Sequence, residues 1–363
     1  MKILFYISTI CGGGAARVMV NVANGMIEIG NKVCFVTNFP ADHEYTLDDR
    51  IKRISLEKSE NTSGTIYKNL SRISKLRRVL WEECPDISIS FMGENNFRLL
   101  LAARGVKTKT IVSVRNDPEK EYPTSFTKAL AKALYKKADG IVFQTEDAKL
   151  FFPEKVQQKS RIILNQVDEK FFQENDYKGE YIIACGRLSN QKNYQMLINV
   201  FAEVLKDYPN EILRIYGEGV LKDELMQLTR DLKISNSVEF MGFSTDMVEV
   251  YRNAKFLVMT SDYEGMPNVM LEALASSVPV ISTDCPCGGP RMIIKDGENG
   301  FLVKVGDCNQ LKNKINYLLK NDKLIILLGK TARIMAEAYR GVHIIKDWEN
   351  YITSIVRNKY CEK

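Results

Sequence analysis

Short apolar runs alternate with longer amphipathic stretches along most of the chain. In the first half, the runs 2–7 (KILFYI), 32–37 (KVCFVT), 87–92 (ISISFM), 109–114 (KTIVSV) and 140–144 (GIVFQ) are nearly continuous in apolar residues. That is the pattern of strands buried on both faces, as in a parallel sheet. Between them, helical periodicity falls near 15–29, 66–83, 95–104 and 125–137. The pattern then restarts, with strands predicted at 180–188, 211–217, 238–243, 255–260 and 278–283 and helices near 193–206, 220–232, 246–253, 267–277 and 307–320. Strand–helix alternation in both halves predicts an α/β chain of two doubly wound, Rossmann-like parallel-sheet domains. They meet within 165–179 (NQVDEKFFQENDYKG), which gives domains of 1–170 and 171–340. Such domains bind ligands outside the carboxyl ends of their strands, and a cleft between the two is the expected active site. The amphipathic stretch 342–358 (VHIIKDWENYITSIVRN) is predicted to return to the N-terminal domain with Trp348 as anchor; ordinary C-terminal packing is the alternative.

Composition narrows the classes. A length of 363 residues suits two domains, and 45% hydrophobic with 26% charged residues is ordinary for a globular protein. The net charge of +6 falls short of a dedicated nucleic-acid binder and suits phosphate-bearing small substrates or an anionic membrane surface. No segment reaches about 18 apolar residues, so no membrane span is expected. The opening MKILFYISTIC runs straight into a glycine loop and reads as a first strand, not a signal sequence. The eight cysteines lack paired spacing, and Cys285-Pro286-Cys287 has no second pair, so reduced thiols in the cytoplasm are expected.

Three constellations carry candidate chemistry. In CGGGAARVMV at 11–20, Gly13 and Gly14 open a helix and let backbone N–H groups approach an anion. Arg17 stands where a dinucleotide fingerprint has its third glycine, and no acidic residue closes the next strand, which argues against NAD. The bland alternative is a tight strand-to-helix turn. In GRLSNQKN at 186–193, Arg187 and Lys192 are five residues apart around a loop and can converge on one diphosphate; two solvated cations are the alternative. In SDYEGMPNVMLEALA at 261–275, Pro267 suits the first helical position, and the amides of 266–269 favour negative charge. Carboxylates at Glu264 and Glu272 would repel a phosphate there unless they are aimed at something else. Sugar hydroxyls are suitable partners, so the two glutamates are read as gripping two sugars that flank a diphosphate, which is the shape of a nucleotide-sugar. Gly265, Met266, Pro267 and Asn268 are counted with them as donor-binding. A Glu at a helix start is otherwise a partner for the helix dipole. In the 124–140 stretch, Lys128, Lys132 and Lys136 recur at every fourth residue and suit an acceptor's pyrophosphate or anionic lipid, as does the basic stretch at 68–80; solvated helix faces are the alternative.

Taken together, these motifs resemble glycosyltransferase family 4, the retaining GT-B enzymes. Glu264 and Glu272 match the E-x7-E signature, Gly186-Arg187-Leu188 with Lys192 the diphosphate loop, Gly12-Gly13-Gly14 with Arg17 the first glycine loop, and DGENGFLV at 296–303 the following turn and strand. The resemblance implies a nucleotide-sugar donor, with UDP favoured, on the C-terminal domain and a glycan acceptor, lipid-linked in surface-polysaccharide synthesis, on the N-terminal one. It assigns Glu272 to the ribose, Glu264 to the donor hexose, Arg187 and Lys192 to the diphosphate, and the loop at Gly242-Phe243 to the nucleobase. Many relatives place a histidine beside the acceptor; here the loop SVRNDP puts Arg115 and Asn116 in that neighbourhood, and similar enzymes often carry Glu where Met292 stands. No Asp-x-Asp occurs, so no metal and no other cofactor is expected. The remaining readings are a GDP-mannose or UDP-glucose transferase with another acceptor, a non-catalytic nucleotide-sugar-binding subunit and a nucleotide-sugar epimerase. The expected location is the cytoplasm, with peripheral contact at the inner membrane face.

Overall fold

The computed structural model describes residues 1–59, 65–173 and 179–361; part of the stretch where the domains were expected to meet, 174–178, lies outside them. Two compact units emerge. The first comprises Met1–Gln166 and Gly341–Lys363, the second Val167–Arg340. The first boundary thus falls before the expected residue 170. Val167 bridges to Arg340, and Phe171 and Phe172 are buried in the second unit, so the chain already belongs there.

In the first unit, seven strands form one parallel sheet: β1 (Lys2–Ile7), β2 (Lys32–Thr37), β3 (Lys52–Ser55), β4 (Ile87–Phe91), β5 (Lys109–Ser113), β6 (Gly140–Phe143) and β7 (Ser160–Ile162), in the order β3-β2-β1-β4-β5-β6-β7. β1 pairs with β2 on one side (Phe5 opposite Phe35) and with β4 on the other (Phe5 opposite Ile89). The second unit repeats the plan with β8 (Tyr181–Cys185), β9 (Leu213–Tyr216), β10 (Val238–Gly242), β11 (Ala254–Met259), β12 (Val280–Thr283) and β13 (Gly300–Val303), in the order β10-β9-β8-β11-β12-β13. Both orders reverse direction once, between β1 and β4 and between β8 and β11. At such a point the chain leaves neighbouring strands toward opposite sides, and a crevice opens at their carboxyl ends. The expected pair of doubly wound sheets is therefore present. β3 and β7 were not anticipated: they are short, only half-buried edge strands, KRIS and SRI, without an apolar run.

The helix Gly341–Cys361 completes the first unit's core. Ile344, Ile345, Trp348, Tyr351, Ile352 and Ile355 join the cluster built by β1, β2, β4 and the Gly14–Glu28 helix. Two glycines make room for it: a Cβ on Gly25 would stand 2.5 Å from Ile345 Cδ1, and one on Gly140 2.4 Å from Ile355 Cδ1. Tyr351 Oη accepts the Ile141 amide at 2.9 Å and donates to Lys159 O at 2.5 Å, which ties the helix to β6. Trp348 is fully buried and stacks on Phe91, with ring centroids 5.7 Å apart.

Trp348→Ala is expected to cost the first unit about 3–5 kcal/mol, the range for emptying a large aromatic site. Hydrogen exchange should then show β1, β4 and β5 losing protection while β8 to β12 keep theirs. Equal loss in both units would show that the helix is not a private part of the first.

Candidate active site

The second unit's reversal point brings the two expected loops together. After β8 the chain turns at Gly186, whose φ of +147° favours glycine, and runs through Arg187 to a short 3-10 turn at Asn190–Lys192. After β11 it passes Thr260 and Ser261 to Glu264. Side chains and backbone stitch the loops to each other. Thr260 Oγ1 donates to Lys192 O at 3.0 Å, Gln191 Nε2 donates to Tyr263 O at 2.9 Å, the Asp262 amide donates to Gln191 O at 2.9 Å, and Asn193 Nδ2 donates to Asp262 Oδ1 at 2.9 Å. A third segment locks Glu264 from behind: its amide donates to Pro286 O at 2.6 Å, and its carbonyl accepts the Cys287 amide at 2.9 Å. Here backbone meets backbone so closely that a Cβ on Gly289 would lie 1.6 Å from Gly265 O, so only glycine fits.

Both signature carboxylates are buried within this frame, Glu264 at 7% exposure and Glu272 at 4%. The Glu264 carboxylate pairs with Lys192 and accepts the Ser261 hydroxyl at 2.7 Å, both on Oε1. Glu272, one turn inside the Asn268–Ala275 helix, accepts the Tyr251 hydroxyl on Oε2 at 3.3 Å. Arg187 is exposed, and its guanidinium makes no hydrogen bond or ion pair to a described residue. Gly265, Met266 and Pro267 are buried and Asn268 is half-buried at the mouth of the helix. Pro267 departs from its expected place. It is the N-cap, with extended φ −76° and ψ 115°, and its carbonyl accepts the Met270 and Leu271 amides, so the helix starts one residue later. Phe243 follows β10 and is 80% exposed. Met292 is exposed too.

In the first unit, Gly12 has a left-handed φ of +60° and Gly13, extended, is the N-cap of a helix starting at Gly14. A Cβ on Gly12 or Gly13 would meet nothing within 4 Å, so the loop presents open backbone. Three expected acceptor contacts are engaged elsewhere. Arg115 turns inward: its guanidinium lies 3.7 Å over the Phe91 ring and 5.7 Å from the Trp348 ring, and Nη1 donates to Asn165 Oδ1 at 2.9 Å. Burial pushes its pKa down to about 9, and Nε and Nη2 have no partner. This arginine packs the C-terminal helix against the sheet instead of facing an acceptor. Lys128 is paired with Glu119, and Lys132 sits 4.4 Å over the Phe151 ring. The lysine stripe is thus not a row of free cations. Asn116 is half-buried. Among the described residues, no three His, Cys, Asp or Glu side chains gather to hold a metal.

Two Rossmann-like domains, the second with paired glutamates and a lysine at its reversal point, make up a GT-B fold. Residues 166–339 match the family model of glycosyl transferases group 1. A Campylobacter jejuni N-acetylgalactosamine-N,N'-diacetylbacillosaminyl-diphospho-undecaprenol 4-alpha-N-acetylgalactosaminyltransferase is 30% identical over 74% of this chain and 76% of its own length. The chain therefore belongs to the group 1 glycosyltransferases. A second C. jejuni enzyme, an α-1,4-N-acetyl-D-galactosaminyltransferase acting on a diNAcBac-PP-undecaprenol glycan, is 28% identical over 98% of this chain and 99% of its own length. Among solved structures, Anabaena HepE in complex with UDP superposes with a TM-score of 0.80, at 18% identity over 98% of this chain and 100% of that one. TarM of Staphylococcus aureus, solved with UDP, gives 0.78 at 17% identity over 97% and 99%.

Three residues with a part in these sites carried no sequence signal: Ser261 and Tyr251, which hold the two glutamates, and Glu121. The last lies at the carboxyl edge of the first sheet, where its Oε1 accepts the Gly93 amide and its Oε2 is buried without a partner. It supports an unusual turn, because Met92 before Gly93 has φ +74°. Burial pushes the Glu121 carboxyl up to about 7, against the Gly93 and Arg115 amides, which favour the anion. A carboxyl raised in the folded state holds a proton that the unfolded chain has lost. Its contribution is therefore full below the ordinary 4.5 and disappears as pH rises to about 7. Glu121→Gln, which keeps the shape and stays neutral, is expected to remove that decline, so its melting temperature should gain on the wild type between these pH values and run parallel above. Melts that stay parallel throughout would contradict the assignment.

Proposed function

We propose that this glycosyltransferase is a retaining enzyme of family 4 type that moves a hexose or N-acetylhexosamine from a UDP-sugar to a polyprenyl-diphosphate-linked glycan in surface-polysaccharide synthesis. One observation carries the reading: two buried carboxylates flank the start of one helix at the sheet's reversal point, and a lysine reaches one of them. The undecaprenyl-linked acceptors named for the C. jejuni relatives and the UDP bound by HepE support the choice of substrates.

In this reading Glu272, steadied by Tyr251, takes the ribose hydroxyls, and Glu264 takes hydroxyls of the donor hexose. Arg187 and Lys192 serve the diphosphate, and the Gly242-Phe243 loop lies by the base. As the bond from the anomeric carbon to phosphate breaks, negative charge gathers on the leaving diphosphate. Preorganised cations aimed at that charge lower the barrier most. Arg187 and Lys192 supply them without a metal. Neither His43 nor His343 lies at a strand end. The acceptor hydroxyl therefore passes its proton to the departing phosphate oxygen as its own oxygen bonds to the anomeric carbon from the same face.

A mass-spectrometric screen of UDP- and GDP-sugars against short prenyl-diphosphate glycans, with EDTA present, tests this directly. Transfer from a UDP-sugar with an α-linked product is expected, Glu272→Ala should abolish donor binding, and Lys192→Ala should lower turnover more than donor affinity. Binding of UDP-sugars without transfer to any acceptor would mark a non-catalytic subunit.

Membrane contact is assigned to the Thr65–Glu83 helix, since Lys128 and Lys132 are occupied. Tyr67, Leu70 and Trp81 are exposed at 70%, 62% and 59%, and with Ser74 and Arg78 they fall at helical spacing on one outward face. Aromatic and aliphatic side chains beside a cation suit a lipid interface. No helix among the described residues is long and apolar enough to cross a membrane. In flotation assays, vesicles containing phosphatidylglycerol should retain the wild type, and a Leu70→Ala/Trp81→Ala variant should release several-fold more readily. Equal retention would remove this helix from the contact.

A further inference from the structure

Lys192 and Glu264, which serve separate groups of the donor in the proposed function, hold each other. The lysine stem crosses Gly186 so closely that a Cβ there would stand 3.0 Å from Lys192 Cε, so the missing side chain provides its path. At its tip the ammonium pairs with Glu264, the two side chains being 17% and 9% exposed. The two partners differ in freedom. Glu264 is held at its carboxylate by Ser261, which is itself fixed by Thr283 Oγ1 donating to Ser261 O at 2.6 Å, and at its backbone by Pro286 and Cys287. Lys192 is fixed at its carbonyl by Thr260 and reaches Glu264 along four flexible methylenes. One cation therefore stands within reach of two anions, an anchored carboxylate and, when donor binds, a diphosphate. A pair this far from water is weakly screened, so the choice between them matters energetically.

We propose that the Lys192–Glu264 pair is a product-release switch. Sugar hydroxyls on Glu264 free the lysine for the diphosphate. Once the sugar has passed to the acceptor, Glu264 regains the lysine and the affinity for UDP falls. The switch rests on the assignment of Lys192 to the diphosphate made under Proposed function, and it adds a coupling between the two ends of the donor that neither residue produces alone.

Calorimetric titration of UDP, with UMP as the ligand lacking the second phosphate, into the full-length wild type, Glu264→Gln, Lys192→Ala and the double variant separates the possibilities. Retained UMP binding reports a folded pocket in each variant. Glu264→Gln is expected to bind UDP roughly tenfold tighter and to release it more slowly, each tenfold step being about 1.4 kcal/mol. The same replacement should gain distinctly less in the Lys192→Ala background, because no ion pair is left to break. An equal gain in both backgrounds would mean plain repulsion between Glu264 and the diphosphate and would overturn the switch. So would an absence of gain in the single variant. If the double variant binds UDP no more weakly than Glu264→Gln alone, where the lysine is free, the diphosphate assignment itself fails, which is a different result.

Discussion

Two opposite charges withdrawn from water can stay charged only where hydrogen bonds and a counter-ion replace their hydration. The Lys192–Glu264 pair meets that condition because three separate segments converge on it: the turn after β8, the loop after β11 and the stretch around Pro286. None of these loops has a periodic apolar pattern of its own. Their rigidity comes from hydrogen bonds between them, made possible by glycines where one backbone lies against another. The sheet order explains why this happens here, since in the second sheet it is between β8 and β11 that the neighbouring strand ends diverge.

The two glutamates, alike in sequence, therefore differ in kind. Glu264 sits on a loop, shares a cation and is held through one oxygen. Glu272 projects from a helix and accepts the hydroxyl of Tyr251, which is in turn packed edge-on against Phe171, just beyond the unit boundary.

Much of this architecture was legible because buried parallel strands are written as unbroken apolar runs and glycine-rich turns mark their ends. The edge strands β3 and β7 escaped because an edge needs no apolar run on both faces. Arg187, Lys192, Glu264 and Glu272 could be singled out from spacing, since the first three lie on loops after strand ends and the last in the helix that follows. Spacing could not show that Lys192 and Glu264 pair, because they lie 72 residues apart and meet only in the folded chain. Nor could it show where Arg115 points. Its aromatic partners, Phe91 and Trp348, come from distant parts of the chain, and a basic residue on a loop looks the same whether it faces solvent or a ring. Pro267 was misplaced by one residue because a proline serves equally well just before a helix and at its first turn.

The first unit is closed by the Gly341–Cys361 helix, so its core is incomplete until the second unit, which lies between in sequence, has been synthesised. The second unit, built from one uninterrupted stretch, has no such dependence. During synthesis the order of maturation is therefore the reverse of the order of translation, and the half that begins first waits longest with apolar surface uncovered.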